Sequence, residues 1–239
     1  MKRTFLILVS VLAGIFYLSS CIYEFESVSG NGNVTREARE LGDFSSLDVS
    51  RGLDVYLTFG KPQTIEIEAD DNLHDIIRTE VVSGTLRIYQ DKNIRNAKAK
   101  RIYITVPTIE EIEASSAADV IGENLLNAES FSVSVSSAAE VRIEVNAREV
   151  QVEASSSGSV ELKGETDELD ANASSAGSID ADKLQARYCR VTASSAGNVQ
   201  VLALEEISAN ASSAGSIRYK GNPSEKKIDT SSAGSVSER

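Results

Sequence analysis

One phrase recurs through the second half of this chain. Ser-Ser-Ala-Gly or a close variant begins at Ser115, Ser136, Ser155, Ser174, Ser194, Ser212 and Ser231. Successive copies start 21, 19, 19, 20, 18 and 19 residues apart. Seven copies at so even a spacing indicate a solenoid, in which each copy is one structural unit stacked on the last.

The residues around the phrase say what kind of unit it is. Five positions after the first Ser stand Val120, Val141, Val160, Ile179, Val199, Ile217 and Val236. Three before it stand Ile112, Val133, Val152, Ala171, Val191, Ala209 and Ile228, and one before it Ala114, Val135, Ala154, Ala173, Ala193, Ala211 and Thr230. Polar residues fill the positions between. This alternation has a period of two, which predicts strands with one buried face and excludes a helical pattern. About 19 residues per copy hold three short strands and three corners, so the chain is expected to be all-β and to form a three-sided parallel β-helix. Its coils would stack about 4.8 Å apart. One coil alone cannot bury enough apolar surface to offset the entropy of ordering it, which is why copies come in a row.

The phrase itself is read as a corner. Gly158, Gly177, Gly197, Gly215 and Gly234 are expected to supply a positive φ there, and the small residues before them to let corners approach closely. Serine hydroxyls are expected to form ladders along the corner.

Residues 1–20 read as a secretion signal. Lys2 and Arg3 precede an apolar stretch from Phe5 to Leu18, which is short for a membrane span. Leu18-Ser19-Ser20-Cys21 resembles a bacterial lipobox, implying cleavage before Cys21 and acylation of that residue. Residues 21–40 are read as a tether with a short leading strand near Val34. Glu24 and Glu26 in this tether partly resemble a surface-export signal, and a plain solvated linker fits equally. Cys189 is the other of the two cysteines. It shares its position in the repeat with Phe131, Val150, Leu169 and Ile207, so it is expected in the core.

Residues 41–110 carry strand-like segments in less regular copies, either degenerate first coils of the same solenoid or a fused small β-domain. Residues 111–239 hold the regular coils. The 36 acidic and 24 basic side chains give a formal charge of −12, which argues against nucleic acid or anionic headgroups as partners.

Several segments carry a more specific likeness. They are Phe44-Ser45-Ser46-Leu47-Asp48-Val49, Asp54-Val55-Tyr56-Leu57, Ile65-Glu66-Ile67-Glu68-Ala69-Asp70-Asp71-Asn72-Leu73 and Gly84-Thr85-Leu86-Arg87-Ile88, followed by the Ser-Ser-Ala-Gly coils. Together they resemble the putative auto-transporter adhesin, head GIN domain family, over roughly Gly30 to Gly221. The resemblance implies a right-handed β-helix in a bacterial envelope protein, and it supplies no catalytic residue. The expected location is the outer membrane, as a lipoprotein facing the periplasm or the cell surface, held by its N-terminal lipid.

No phosphate loop, dinucleotide fingerprint or zinc signature is present, so neither a cofactor nor a metal is implied. His74 is the only histidine and reads as a satisfied surface residue. A serine nucleophile would be singular, whereas these serines recur in every coil. Asp119 and Glu140 fall one coil apart and read as a solvated face.

The expected function is an adhesin-like binding or structural module without catalysis, with a glycan or an envelope protein as partner. The alternative is a β-helix carbohydrate-active enzyme, a polysaccharide lyase or hydrolase, which would need converging carboxylates. The candidate binding face is the outward row two positions before each first Ser: Glu113, Ser134, Glu153, Asn172, Thr192, Asn210 and Asp229. Plain solubility is the competing role for that row.

Overall fold

The computed structural model describes residues 27–239. The signal segment, Cys21, Glu24 and Glu26 lie outside the described residues. The described chain forms a parallel β-solenoid, with one sheet of 16 strands running through it and a separate two-stranded pair of Ser27–Val28 with Asn93–Ile94.

The regular coils are built from Asp119–Val135, Glu140–Ala154, Ser159–Ala173, Ser178–Ala193 and Asn198–Ala211, each paired in parallel with the next. The expected alternation is the observed one. Val120, Val141, Val160, Ile179, Val199 and Ile217 stack as a fully buried column. Cys189 sits in another, in register with Leu169 and Ile207. Only 3% of it is exposed, and burial pushes its thiol up to about 12. The free thiol therefore behaves as one more apolar core group.

The corner differs from its expected geometry. Positive φ falls on the second Ser and the following residue of each phrase, for example Ser175 at 48° and Ala176 at 61°. The glycines that follow are not in the left-handed region. They are needed for a different reason, close approach. A Cβ on Gly177 would lie 2.2 Å from the carbonyl oxygen of Ala154 in the coil beneath, closer than any real contact. Gly158, Gly197, Gly215 and Gly234 meet the same obstacle from Val135, Ala173, Ala193 and Ala211.

Main-chain groups also tie the corners together. Gly177 N–H closes each turn onto Ser174 O at 2.8 Å, while Ala176 N–H donates upward to Ser195 O at 3.0 Å. The same kind of bond links Ser157 to Ser175 and Ala196 to Ser213. The corner ladder is thus a backbone ladder where a hydroxyl ladder was expected.

At this inward corner position the side chain shrinks along the stack. Leu53 fills it in the Ser50-Arg51-Gly52-Leu53 turn, then Ala118 and Ala139, and glycine thereafter; all are buried as far as Gly215, and Gly234 at the end of the stack is half-buried. Arg51 and Gly52 in that first turn carry φ of 62° and 66°, so it is the same corner in an irregular form.

The N-terminal region belongs to the same sheet, but not in chain order. Ser46–Val49 lies between Thr85–Gln90 and Glu111–Ala114, and Asp54–Phe59 lies between Lys100–Val106 and Asp119–Val135. The coil made by residues 46–59 is thereby inserted between the one made by 85–106 and the first regular coil. Antiparallel strands then close this end: Ile77–Val82 on Thr85–Gln90, Thr64–Asp70 on Lys100–Val106, and Val34–Arg39 outermost.

His74 is part of this cap and is only 7% exposed, which corrects its reading as a surface residue. Leu73, fully buried at the end of a single 3-10 turn, draws it inward. Its Nε2 lies 3.0 Å from Thr35 Oγ1 and its carbonyl accepts from Arg39 Nη2 at 3.0 Å. Asp70 is also buried in this cap, and its carboxylate accepts from the N–H groups of Gly32, Lys98 and Ala99. Those three donors hold its pKa below the usual carboxylate range despite the opposing effect of burial.

The corner geometry makes a prediction. Gly177→Ala is expected to cost about 1–3 kcal/mol through overpacking, measured by urea unfolding. Ala176→Gly should be near neutral, because relief of a left-handed alanine offsets added backbone entropy. A neutral Gly177→Ala would contradict close approach as the reason for glycine.

Candidate functional site

The candidate row is positioned by strand register alone. Glu113 pairs with Ser134, Ser134 with Glu153, Glu153 with Asn172, Asn172 with Thr192, Thr192 with Asn210, and Asn210 with Asp229. All the predicted row residues therefore lie in one line on one outward face. Neighbours in it stand about 4.8 Å apart. The line continues beyond the predicted set. Asp48 pairs with Glu113, and Arg87 with Asp48.

Two parallel rows flank this line. The first Ser of each corner forms one, and a shallow groove of about 480 Å³ runs between the two, lined by Glu113, Ser134, Glu153 and Asn172 with Ser155 and Ser174. On the other side, positions four and six before the first Ser form a second groove of about 720 Å³, lined among others by Glu149, Gln151, Glu168, Asp170, Tyr188 and Arg190. The sequence reading stopped at one row. The same period of two, extended two and four positions further, points to the second groove.

The face is acidic and loosely self-paired. Three of its ion pairs are long, Arg87 to Asp48, Arg190 to Asp170 and Lys227 to Glu206, each at 3.4 Å, while Glu149 is held closely by Arg148. Asn172 donates to Asp170 at 2.9 Å. Among the described residues, Glu153, Thr192, Asn210 and Asp229 make no side-chain hydrogen bond or ion pair, so their polar groups point to solvent. The face that follows the corner is different. There Lys163 meets Glu144 at 3.0 Å, Lys183 meets Glu161 at 3.1 Å, Lys220 meets Asp182 at 2.5 Å, and Arg142 pairs with Glu140. Four of its acids are thus matched by cations within the protein.

Glu113 marks the acidic end of the row. Partial burial of its carboxylate, then the negative charges of Glu111 and Asp48, push its pKa above the ordinary carboxylate range. Asp119 and Glu140 do pair across adjacent coils, but Glu140 is engaged by Arg142. Among the described residues, no group of three or more His, Cys, Asp or Glu side chains is placed to hold a metal.

Stacked coils carrying a continuous polar face define a β-solenoid that presents an extended surface. Residues 43–223 match the family described as "Putative auto-transporter adhesin, head GIN domain", and the chain belongs to that family. Solved structures share the fold. A putative adhesin from Bacteroides fragilis aligns with a TM-score of 0.84 at 24% identity, over 89% of this chain and 100% of its own. A putative adhesin from Parabacteroides distasonis aligns at 0.72 and 23% identity, over 90% and 100%. A putative lipid binding protein from the same species aligns at 0.66 and 22%, again over 90% and 100%. No curated protein matches the chain.

The raised Glu113 pKa sets a pH dependence. A carboxyl with a raised folded-state value is less ionised folded than unfolded. Its penalty is absent where both states are protonated and grows as pH rises through the carboxylate range. Glu113→Gln is therefore expected to raise the melting temperature at neutral pH, with the gain disappearing in acid. Equal melting curves at both pH values would contradict the crowding of Glu113, Glu111 and Asp48.

Proposed function

We propose that the protein is a non-catalytic binding module of the bacterial cell envelope, held to the outer membrane by a lipid on Cys21. In this reading the acidic face binds a long, repetitive, hydroxyl-rich ligand, a glycan chain of the envelope or of a neighbouring surface. The observation that carries it is the unbroken register from Glu113 to Asp229, along which Glu153, Thr192, Asn210 and Asp229 make no side-chain hydrogen bond or ion pair. A rigid row of donors and acceptors at a fixed rise suits a polymer with its own repeat, because ordering the face on binding costs little. Membership of an adhesin family supports the same reading. The enzyme alternative draws no support from that membership, and of the neighbouring acids Asp119 and Glu140 the second is engaged by Arg142.

The double variant Asn172→Lys with Thr192→Lys places two bulky cations in the row without entering the core. Binding to envelope polysaccharide on a glycan array should fall about tenfold or more. The control Ser178→Lys with Asn198→Lys, paired in the same way on the face after the corner, should bind normally. Loss in the control with binding retained in the first variant would move the site off this face. Separately, Cys21→Ala should shift the protein from the membrane fraction to the soluble one. Unchanged membrane partition would rule out the lipid anchor.

A further inference from the structure

The two ends of the solenoid are finished differently. Antiparallel strands cover the N-terminal end, as described above. At the other end Glu225–Thr230 pairs only with Asn198–Ala211, and Ser235–Glu238 only with Ser216–Lys220. Their outer main-chain groups face away from the stack, and among the described residues no strand lies beyond them. Every residue of Glu225–Thr230 is exposed. Ile228 is 44% exposed, while Ala209 and Val191, its counterparts in the two preceding coils, are at most 2% exposed. A core column thus ends in an open apolar side chain beside an unpaired strand edge, a combination that solenoids ordinarily cap.

We propose that this edge pairs with the same edge of a second copy, antiparallel and about a two-fold axis, giving an end-to-end dimer. The charge pattern of Glu225-Lys226-Lys227-Ile228-Asp229-Thr230 selects the partner and the register. In an antiparallel pair, directly opposite residues point to the same side of the sheet, so inward Ile228 must face an inward residue. Placing Ile228 opposite Ile228 of the second copy buries both. It also sets each Lys227 opposite an Asp229 on the outer surface, two attractive pairs related by the symmetry. Shifting by two residues either way sets Lys227 against Lys227 or Asp229 against Asp229, and repels. Lys227 is free to make the contact, since it is 70% exposed and rests only loosely on Glu206.

Such an edge is smaller than the roughly 800 Å² per partner of a stable dimer. The association is therefore weak in dilute solution and favoured where the protein is concentrated on a membrane. Asp229 is also the last residue of the candidate binding row, so the dimer would join two rows end to end. The dimer does not depend on that row binding anything.

Sedimentation equilibrium of the purified protein, from micromolar to millimolar concentration, tests this. A reversible monomer–dimer equilibrium is expected. Lys227→Asp alone, and Asp229→Lys alone, should each weaken the dimer about tenfold or more by turning both pairs repulsive. The double variant Lys227→Asp with Asp229→Lys should restore it. All three should keep the melting temperature of the parent, because both side chains are exposed in the last coil. A monomer throughout the range overturns the proposal and leaves the edge to a strand of another protein. Dimers that persist in both single variants, or that the double variant fails to restore, overturn it as well.

Discussion

A backbone carbonyl occupies the space where a side chain would begin. At each regular corner the oxygen of the residue before one Ser-Ser-Ala-Gly phrase lies where a Cβ of the next coil's glycine would stand, 2.1–2.7 Å away. This close approach fixes much of the remaining structure. It goes with a ladder in which the main chain of one corner donates directly to the carbonyl of the next, a ladder that also runs through the corners ending in Ala118 and Ala139, so corners join the strands on either side and these keep step. It also explains the tolerance for strain two residues earlier. A serine and an alanine in the left-handed region each cost about 1–2 kcal/mol. The glycine is placed for contact, and the turn accepts the torsional cost.

Register held this tightly has consequences on both sides of the sheet. Inward, it stacks like on like, so that Val141, Val160, Ile179 and Val199 form one column and a cysteine can stand in a column of larger apolar residues. Outward, it turns a repeat in sequence into a straight row in space. Whether a row can serve a ligand then depends on its charges. Behind the corner, lysines and acids meet across coils and cancel. Ahead of it, Glu113, Glu153 and Asp229 stand in line with few cations near them. The difference between the faces lies in which positions carry lysine, since the backbone repeats on both.

The regular coils were largely legible in the sequence, because each copy repeats the same local conflict between period-two burial and a corner that admits only small residues. Three features escaped it, each for a physical reason. The site of positive φ was misplaced because glycine has two uses, conformational freedom and absence of bulk, and composition does not distinguish them. The insertion of residues 46–59 between later strands escaped because local alternation carries no information on which strand lies beside which. For the same reason the row was read as starting at Glu113, although Asp48, 65 positions back, and Arg87, 26 positions back, extend it. His74 escaped because its burial comes from a strand some 35 residues earlier, Val34–Arg39, folding over it.

Native-state hydrogen exchange tests the central role of the corners most directly. If corners are part of the ladder, the amides of Ala138, Ala176, Ala196 and Ala214 exchange as slowly as those in the strands beside them. At the open end, protection should then fall off in Glu225–Thr230 and Ser235–Glu238. Corner amides that exchange at loop rates while the strands between them stay protected would show coils held by strand pairing alone, and would contradict the account.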